Sequence, residues 1–210
     1  MPDEQTKDRR HQIIDAARDT FVRNGLEGAK TRQIADAAGV TETQLYRHFR
    51  SKQELFEMAI LDRVEELTAE LLKLASDFPR ATGKDRFKLS EQVHRDLIIV
   101  MGEISPLLGV ALFSDRAAGK AFWQGRLSPL IDQASDALWM PREATQIIDP
   151  RTMLLVYIGM FFGLAVDSNF RAIELDVDRL ARDVTKLVAF GIFPPAAPSS
   201  RKSTAAKQKG

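Results

Sequence analysis

The sequence predicts an all-α protein: an N-terminal three-helix helix-turn-helix domain and a larger C-terminal helical domain, about nine or ten helices in all. Three observations carry this. Apolar residues recur at helical spacing along most of the chain, while strand-like alternation is weak throughout. Ser, Thr and Asp caps, two of them followed directly by proline, mark helix starts, and glycines mark stops. The stretch 31–49, TRQIADAAGVTETQLYRHF, reads as two short helices around one tight turn.

At 210 residues and 44% hydrophobic, the chain can bury a sizeable core, and its length suits one or two domains. The absence of cysteine excludes disulfides, thiolate metal sites and a cysteine nucleophile, and it suits a cytoplasmic protein. The net charge of +1 is uninformative about partners. Locally, 30–52 sets Lys30, Arg32, Arg47, Arg50 and Lys52 against Asp36 and Glu42. Segment 1–10 is polar and lacks the apolar core of a signal peptide. The longest uncharged apolar run, 153–166, is fourteen residues, too short to span a bilayer, so no membrane partner is expected.

Residues 1–7 are polar and expected to be a flexible N-terminus. The first helix should occupy 8–23, with Ile13, Ala17 and Phe21 on one face and Asn24-Gly25 ending it. Thr31 can then cap a short helix whose inner face is Ile34, Ala35 and Ala38. Gly39 suits a left-handed stop, having no Cβ to clash there. Val40 can plug the turn. Thr41 and Gln44 fit a capping box that opens the second short helix. Leu45 and Phe49 face inward, leaving Glu42, Thr43, Gln44, Tyr46, Arg47 and His48 mostly outward. Ser51 to Glu54 is a second capping box, and its helix can run to about residue 75. Leu55, Phe56, Ile60, Val64, Leu67, Leu71 and Leu74 line its inner side, long enough to serve two cores.

Residues 57–193 form the second domain. A loop at 77–84 contains Pro79 and Gly83. A helix over 85–101 should weaken at Gly102, and Ser105-Pro106 reads as a cap with proline at the first position of a short helix, 107–113. Ser114 or Asp115 caps the next helix, which reaches about 139 with a kink or restart at Ser128-Pro129. A connector covers 140–149. Asp149-Pro150 opens a helix to about 170, and Asp176 caps the last one, with Val177, Leu180, Val184, Leu187 and Val188 as a stripe. Gly191 and Pro194-Pro195 stop it. Segment 194–210 is rich in Ala, Ser, Pro and Lys and is expected to be a disordered basic tail.

The 150–170 helix is apolar around its whole circumference over 153–166, so it has no ordinary solvent face. Gly159 and Gly163, four residues apart, would let another helix approach closely. The favoured solution is burial partly in its own domain and partly in a second subunit, the last helix completing a four-helix interface. The interface candidates are Gly159, Gly163, Val177, Leu180, Val184 and Leu187. The alternative is the central helix of a monomeric core.

The N-terminal block resembles the TetR family of bacterial transcriptional regulators. The matching residues are Ile13, Ala16, Ala17, Phe21 and Gly25, then Thr31, Ile34, Ala35, Ala38, Gly39 and Val40, then Leu45, Tyr46, His48, Phe49, Lys52, Leu55 and Phe56. The patterns "TxxIAxxAGV", "LYRHF" and "SKxEL" at these spacings are highly specific, and the match covers about 8–56. The resemblance implies a homodimer with an N-terminal DNA-binding domain, 8–56, and a C-terminal ligand-binding and dimerisation domain, 57–193. It also implies that a small-molecule effector alters the separation of the two DNA-reading helices. The chain departs from the common pattern at Thr43 and Gln44, where a glycine and then a small hydroxyl residue are frequent, and at Thr20, where leucine is usual. The first departure bears on which half-site is read.

The expected partner is therefore double-stranded DNA carrying an inverted repeat, read in successive major grooves about 34–36 Å apart. Tyr46, His48 and Lys52 match positions that contact phosphate in similar proteins, and Thr31 and Arg32 can do the same at the start of their helix. Base reading falls to Thr43 and Gln44. Glutamine can pair with adenine N6 and N7, and a threonine methyl can pack on the thymine methyl. Gln44 is equally well used in the Thr41 capping box. Glu42 could accept from cytosine N4, but it would repel phosphate, which favours a solvated role.

Met101, Leu108, Phe113, Phe122, Trp123, Tyr157 and Phe161 could together line an apolar cavity for an amphiphilic or aromatic effector, although each singly suits ordinary core. His94 and Glu103 are the nearby polar residues that could orient a ligand. An enzyme is disfavoured. The histidines are His11, His48 and His94, and no metal-ligand spacing, nucleophile elbow or phosphate-cradling loop is present, so no catalytic residue, metal or cofactor is expected. A non-specific architectural DNA-binding protein would need a more basic chain. The tail residues Arg201, Lys202, Lys207 and Lys209 fit a solubilising end. A repressor is the expectation, and the sequence does not separate it from an activator.

Overall fold

A computed structural model describes residues 2–137 and 148–190, and among these residues it is helical with no strand. The helices are α1 (Pro2–Gly28), α2 (Thr31–Ala37), α3 (Glu42–His48), α4 (Lys52–Ala75), α5 (Gly83–Phe113), α6 (Arg116–Phe122), α7 (Ser128–Ala137), α8 (Pro150–Arg171) and α9 (Val177–Phe190), with a π-helical turn, Trp123–Leu127, between α6 and α7. The expected connector at 140–149 and tail at 194–210 lie wholly or mostly outside the described residues.

The first three helices close over the start of α4. Ile13, Ala17 and Phe21 of α1 are buried with Ile34 and Ala35 of α2, Leu45 of α3, Phe49, and Leu55, Phe56 and Ile60 of α4. Phe21 meets Phe56 edge-on, ring centres 5.2 Å apart, a geometry worth about 1 kcal/mol beyond the buried area. Thr20, where leucine is usual, is buried, and its hydroxyl donates to the Ala16 carbonyl at 2.7 Å, so no polar group is stranded. α1 starts at Pro2, earlier than the expected residue 8. Its break is at Gly25, as the sequence indicates: φ is +67° there, and the chain resumes a helical turn to Gly28.

Further along, α4 packs on α5 and α7, and the buried residues of all these helices join one continuous core. α5 is the spine of its later part and touches α1, α4, α6, α8 and α9. It is one helix, in contrast to the expected break at Gly102 and restart at Ser105-Pro106. Pro106 has no N–H to give the Gly102 carbonyl, but Gly102 is exposed and that carbonyl can turn to water. Ile104, Leu107 and Leu108 are buried around the proline. At about 2 kcal/mol each, their burial outweighs an interior-proline cost of roughly 3 kcal/mol. The π turn stands where a kink at Ser128-Pro129 was expected. Pro129 cannot donate to the carbonyl four residues back, Gly125, which lies inside the wider turn.

The other caps are as read from the sequence. The Asp115 carboxylate accepts the Ala118 N–H at 2.7 Å, and Asp149 accepts the Thr152 N–H at 2.8 Å, with Pro150 opening α8. That hydrogen bond holds the Asp149 carboxyl below its usual range. Asp176 accepts from Arg179 N–H at 3.0 Å. α5 and α8 are both long and apolar enough to cross a bilayer by length and composition, a test that the buried core helix of a soluble protein also passes. α5, however, is enclosed by helices on several sides.

His94 of α5 is buried at 1% exposure between α8 and α9. Its ring lies 5.5 Å from that of Tyr157 and 5.8 Å from that of Phe161. The Thr185 hydroxyl donates to the Ala181 carbonyl at 2.7 Å, so it accepts from His94 Nδ1 at 2.6 Å. The neutral ring therefore carries its proton on Nδ1. Burial pushes the His94 pKa down to about 4, and burial also lifts the Tyr157 phenol above its usual range.

Two measurements check this packing. At Gly119 of α6 a Cβ would stand 2.3 Å from the Leu112 carbonyl oxygen, so Gly119→Ala should lower stability by about 1–3 kcal/mol in urea denaturation. Gly102→Ala, whose Cβ meets nothing within 4 Å, should raise it by about 0.5–1 kcal/mol. The second measurement is pH dependence. The unfolded chain takes up the His94 proton below its ordinary 6.5, and the folded chain only near 4. That contribution is complete above pH 6.5 and is lost as pH falls toward 4, a change of about 3 kcal/mol. His94→Gln should flatten the urea midpoint's pH dependence across this window.

Candidate nucleic-acid interface

The helix-turn-helix is built by local hydrogen bonds at both ends of its turn. Gly39 N–H donates to Asp36 O at 3.2 Å, and Val40 N–H to Ala35 O at 2.9 Å. This closed helix end needs a left-handed residue, and Gly39 supplies it at φ +63°. Val40 packs against the core as a partly buried plug. Thr41 then opens α3. Its Oγ1 accepts the Gln44 N–H at 3.2 Å, while Gln44 Oε1 accepts the Thr41 N–H at 2.9 Å. The capping box is present in full.

The start of α2 differs from the sequence reading. Lys30 is the cap residue, and its N–H donates to Gln33 Oε1 at 3.2 Å. Thr31 is the first helical residue, so its hydroxyl is free for other use. It donates to Glu42 Oε1 at 2.7 Å across the two helices. The Tyr46 hydroxyl stands 3.5 Å from the same Thr31 oxygen, at the outer limit of a hydrogen bond. At the start of α4, Ser51 Oγ accepts the Glu54 N–H at 3.0 Å, and Glu54 Oε2 accepts the N–H of Arg50, one residue ahead of the cap, at 2.7 Å. The Lys52 ammonium donates to the Ala29 carbonyl at 3.3 Å, which ties α4 to the α1–α2 link and leaves two further protons. Arg10 of α1 lies over the Phe49 ring at 5.2 Å.

The predicted DNA residues thus lie on one module. Arg32, Thr43, Gln44, Tyr46 and Arg47 are exposed, and Thr31, His48 and Lys52 are half-buried at its edge. Two features escape a reading of the sequence. One is the Thr31–Glu42 bond, which joins residues on different helices. The other is the use of Lys52 as a brace.

The predicted effector residues divide. Met101, Leu108, Phe122 and Phe161 are buried, and Trp123 and Tyr157 pack partly buried against them. Phe113 does not join them: at the end of α5 it is 74% exposed. Glu103 faces outward and receives Arg63 Nε at 2.7 Å, the hydrogen bond that chiefly raises the Arg63 pKa further. It is a brace between α4 and α5, whereas His94 is the polar group inside the cluster. Ser105, on the same face of α5, is also buried, and its hydroxyl has no protein partner. Two open clefts of about 630 and 610 Å³ lie elsewhere, one between α1 and α2 and the other between α1, α4 and α5, lined in part by Arg18, Arg63, Glu66 and Glu103. None of the predicted apolar effector residues lines either cleft, and of the two predicted polar ones Glu103 lines the second.

The predicted dimer residues also divide. α8 buries Leu154, Phe161 and Ala165, while Val156 is 70% exposed and Gly159 and Gly163 lie on its open side. Val177 and Leu180 are half-buried, and Leu187 is exposed. Val184 is a correction: it is buried in the chain's own core beside Ala181 and Thr185, because α9 turns this ridge toward α5. His11, Asp62 and Glu66 converge between α1 and α4. Arg18 stands 3.7 Å from Asp62 and Arg63 2.9 Å from Glu66, so the carboxylates already meet cations and the group reads as an ion-pair network.

With this geometry in hand, the comparisons with known proteins are specific. A family model described as bacterial regulatory proteins, tetR family, matches residues 13–59. The HTH-type transcriptional regulator RutR of Escherichia coli (strain K12) is 31% identical over 150 residues, spanning 69% of this chain and 68% of that protein. The HTH-type transcriptional repressor KstR2 of Mycolicibacterium smegmatis is 28% identical over 115 residues, 52% of this chain and 56% of that one. Among solved structures, the transcriptional regulator FadR from Bacillus subtilis, in complex with stearoyl-CoA, shares the fold with a TM-score of 0.53 at 18% identity, covering 87% of this chain and 99% of that chain. Likeness to RutR over two thirds of both proteins, with the same motif residues placed on α1 to α4, means that this chain belongs to the tetR family of bacterial transcriptional regulators.

Proposed function

We propose that the protein is a cytoplasmic, sequence-specific repressor that binds an inverted-repeat operator as a homodimer and is released by a small, largely apolar effector. The observation that carries this reading is the outward face of α3, exposed at Thr43, Gln44, Tyr46 and Arg47 and held from behind by buried Leu45 and Phe49. In this reading Thr31, Arg32, Tyr46, His48 and Lys52 bind phosphate and fix the register, and Thr43 and Gln44 meet base edges. The capping box narrows the role of Gln44. Pairing with adenine needs its Oε1 to accept from N6 and its Nε2 to donate to N7, yet both lone pairs of Oε1 are taken, by the Thr41 N–H at 2.9 Å and the Thr41 hydroxyl at 3.2 Å. With the cap intact, Gln44 reads a base as a donor only, through Nε2.

The open face of α8 supports the homodimer. Gly159 and Gly163 present backbone there, and a Cβ at either would meet nothing within 4 Å in one subunit. Such a face, with Leu187 exposed on the neighbouring helix, suits a second copy packing helix against helix. The effector reading rests on the buried cluster around Met101, Phe122, Tyr157 and Phe161, with the His94 ring set against Tyr157 and Phe161. Its apolar lining suits an aliphatic or aromatic body, of the kind the Bacillus subtilis relative holds as stearoyl-CoA. Because these residues pack on one another, entry requires α5 and α8 to part. α5 also touches α1 and α4, so such a displacement can reach the DNA-reading helices.

Selection of bound duplexes from a random pool should enrich an inverted repeat, and the enrichment should fall when stearoyl-CoA or a metabolite extract is added. No enrichment would sink the specific-repressor reading. Lys52→Ala should weaken every bound sequence alike and reduce the salt slope by about one. Gln44→Ala should change the preferred sequence at one position in each half-site. On the dimer, Gly163→Leu should leave the helical circular-dichroism signal of the fold unchanged while shifting the sedimenting species from dimer to monomer. A wild-type chain that sediments as a monomer at micromolar concentration would count against the homodimer.

A further inference from the structure

We propose that Glu42 is a positioning residue that restrains backbone contact with DNA: in the free protein its carboxylate holds the Thr31 hydroxyl, and a phosphate must displace it. The inference rests on the DNA-binding reading above and goes beyond it, because it gives a role to an acidic residue in the middle of a basic surface. The Thr31 hydroxyl has one proton, and that proton is donated to Glu42 Oε1 at 2.7 Å. It cannot be donated to a phosphate oxygen at the same time. The Tyr46 hydroxyl stands 3.5 Å from the Thr31 hydroxyl oxygen. Two groups suited to phosphate contact therefore meet at Thr31, whose proton the Glu42 carboxylate holds.

Three consequences follow from charge and geometry. A phosphate that approaches Thr31 meets a like charge one hydrogen-bond length from its target. Docking on the backbone must break a charge-assisted bond before it forms one, so this contact returns little net attraction. A duplex without the operator sequence offers backbone contacts and few others, and there the restraint acts in full. On an operator, base contacts from α3 offset the exchange. Glu42 thereby widens the gap between specific and non-specific binding without touching a base.

The test needs no operator. Binding of the full chain to a mixed-sequence duplex is measured at several salt concentrations for the wild type, Glu42→Ala, Thr31→Val and the double variant. Each variant's melting temperature is recorded. Glu42→Ala should tighten binding about fivefold at low salt, with a steeper salt slope. Its melting temperature should fall, because α3 loses both the Thr31 bond and a carboxylate in its first turn. Tighter binding by a less stable protein is the signature, since a residue that only supports the fold would lose both together. In the Thr31→Val background the gain should shrink below about twofold, as no hydroxyl remains to be released. An equal gain in both backgrounds, or none in either, overturns the proposal while leaving the DNA-binding reading intact. A wild-type chain that binds no duplex at low salt overturns both.

Discussion

Helix α4 spans the length of one continuous core, and the rest of the molecule is arranged around that fact. Its first turns bury Leu55, Phe56, Ala59 and Ile60 with α1, α2 and α3, and the same helix packs on α5 and α7. A helix is stiff over this length, because each residue is tied to the next turn by its own hydrogen bond. The helix-turn-helix therefore cannot turn freely against α5 and α7. Arg18 of α1 adds a local lock by donating to the Ala59 carbonyl of α4 at 3.0 Å. On the other side, Arg63 joins α4 to Glu103 of α5. α5 touches α1 and α4, and α1 packs on α2, which in turn packs on α3, so a rearrangement of α5 has an indirect route to α3.

The polar groups of the surface proposed to face DNA are largely engaged in the free protein. Gln44 caps α3, Thr31 donates to Glu42, and Lys52 braces the Ala29 carbonyl. Binding at such a surface is an exchange of partners, and the net gain of each contact is the difference between two hydrogen bonds. This favours discrimination over raw affinity. A wrong sequence breaks the same internal bonds and recovers fewer of them, so its penalty comes from the protein's side of the interface as well as from the base edges.

What could be read in the sequence was local. The Gly39 turn, the Thr41–Gln44 box, the Gly25 break and the Asp149-Pro150 start all depend on residues within a few positions of one another, and all are present. The misreadings share one cause. Gly102 and Ser105-Pro106 are helix breakers by local propensity, yet α5 runs through them because its flanks are buried by several other helices. Thr31 looked like a cap, but the chain enters α2 one residue earlier, at Lys30. Val184 sits on a regular stripe, but which side of a stripe meets α5 is decided by the crossing of two helices, and no periodicity records that. His94 reads only as a polar residue near the apolar cluster until Thr185, 91 positions away, is brought to its ring. Phe113 failed in the opposite sense: its neighbours in sequence are core, and the helix simply ends with it outside.

α8 shows where both kinds of reading meet. Its composition says that it has no solvent face, and the fold buries just one side of it. Leaving Val156 and the backbone at Gly159 and Gly163 in water is unfavourable in two ways. Apolar surface stays hydrated, and each glycine weakens the helix by roughly 0.5–1 kcal/mol relative to alanine with no contact in return. A helix this costly as a monomer makes physical sense if a second copy covers it, because small residues then let two backbones approach. The same α8 is packed on its inner side against α5, through Phe161 and its neighbours. In the proposed dimer, a molecule that parts α5 from α8 would act on a helix that touches α1 and α4 on one side and α8 on the other. The distance between two recognition helices would then depend on how tightly one aromatic cluster closes.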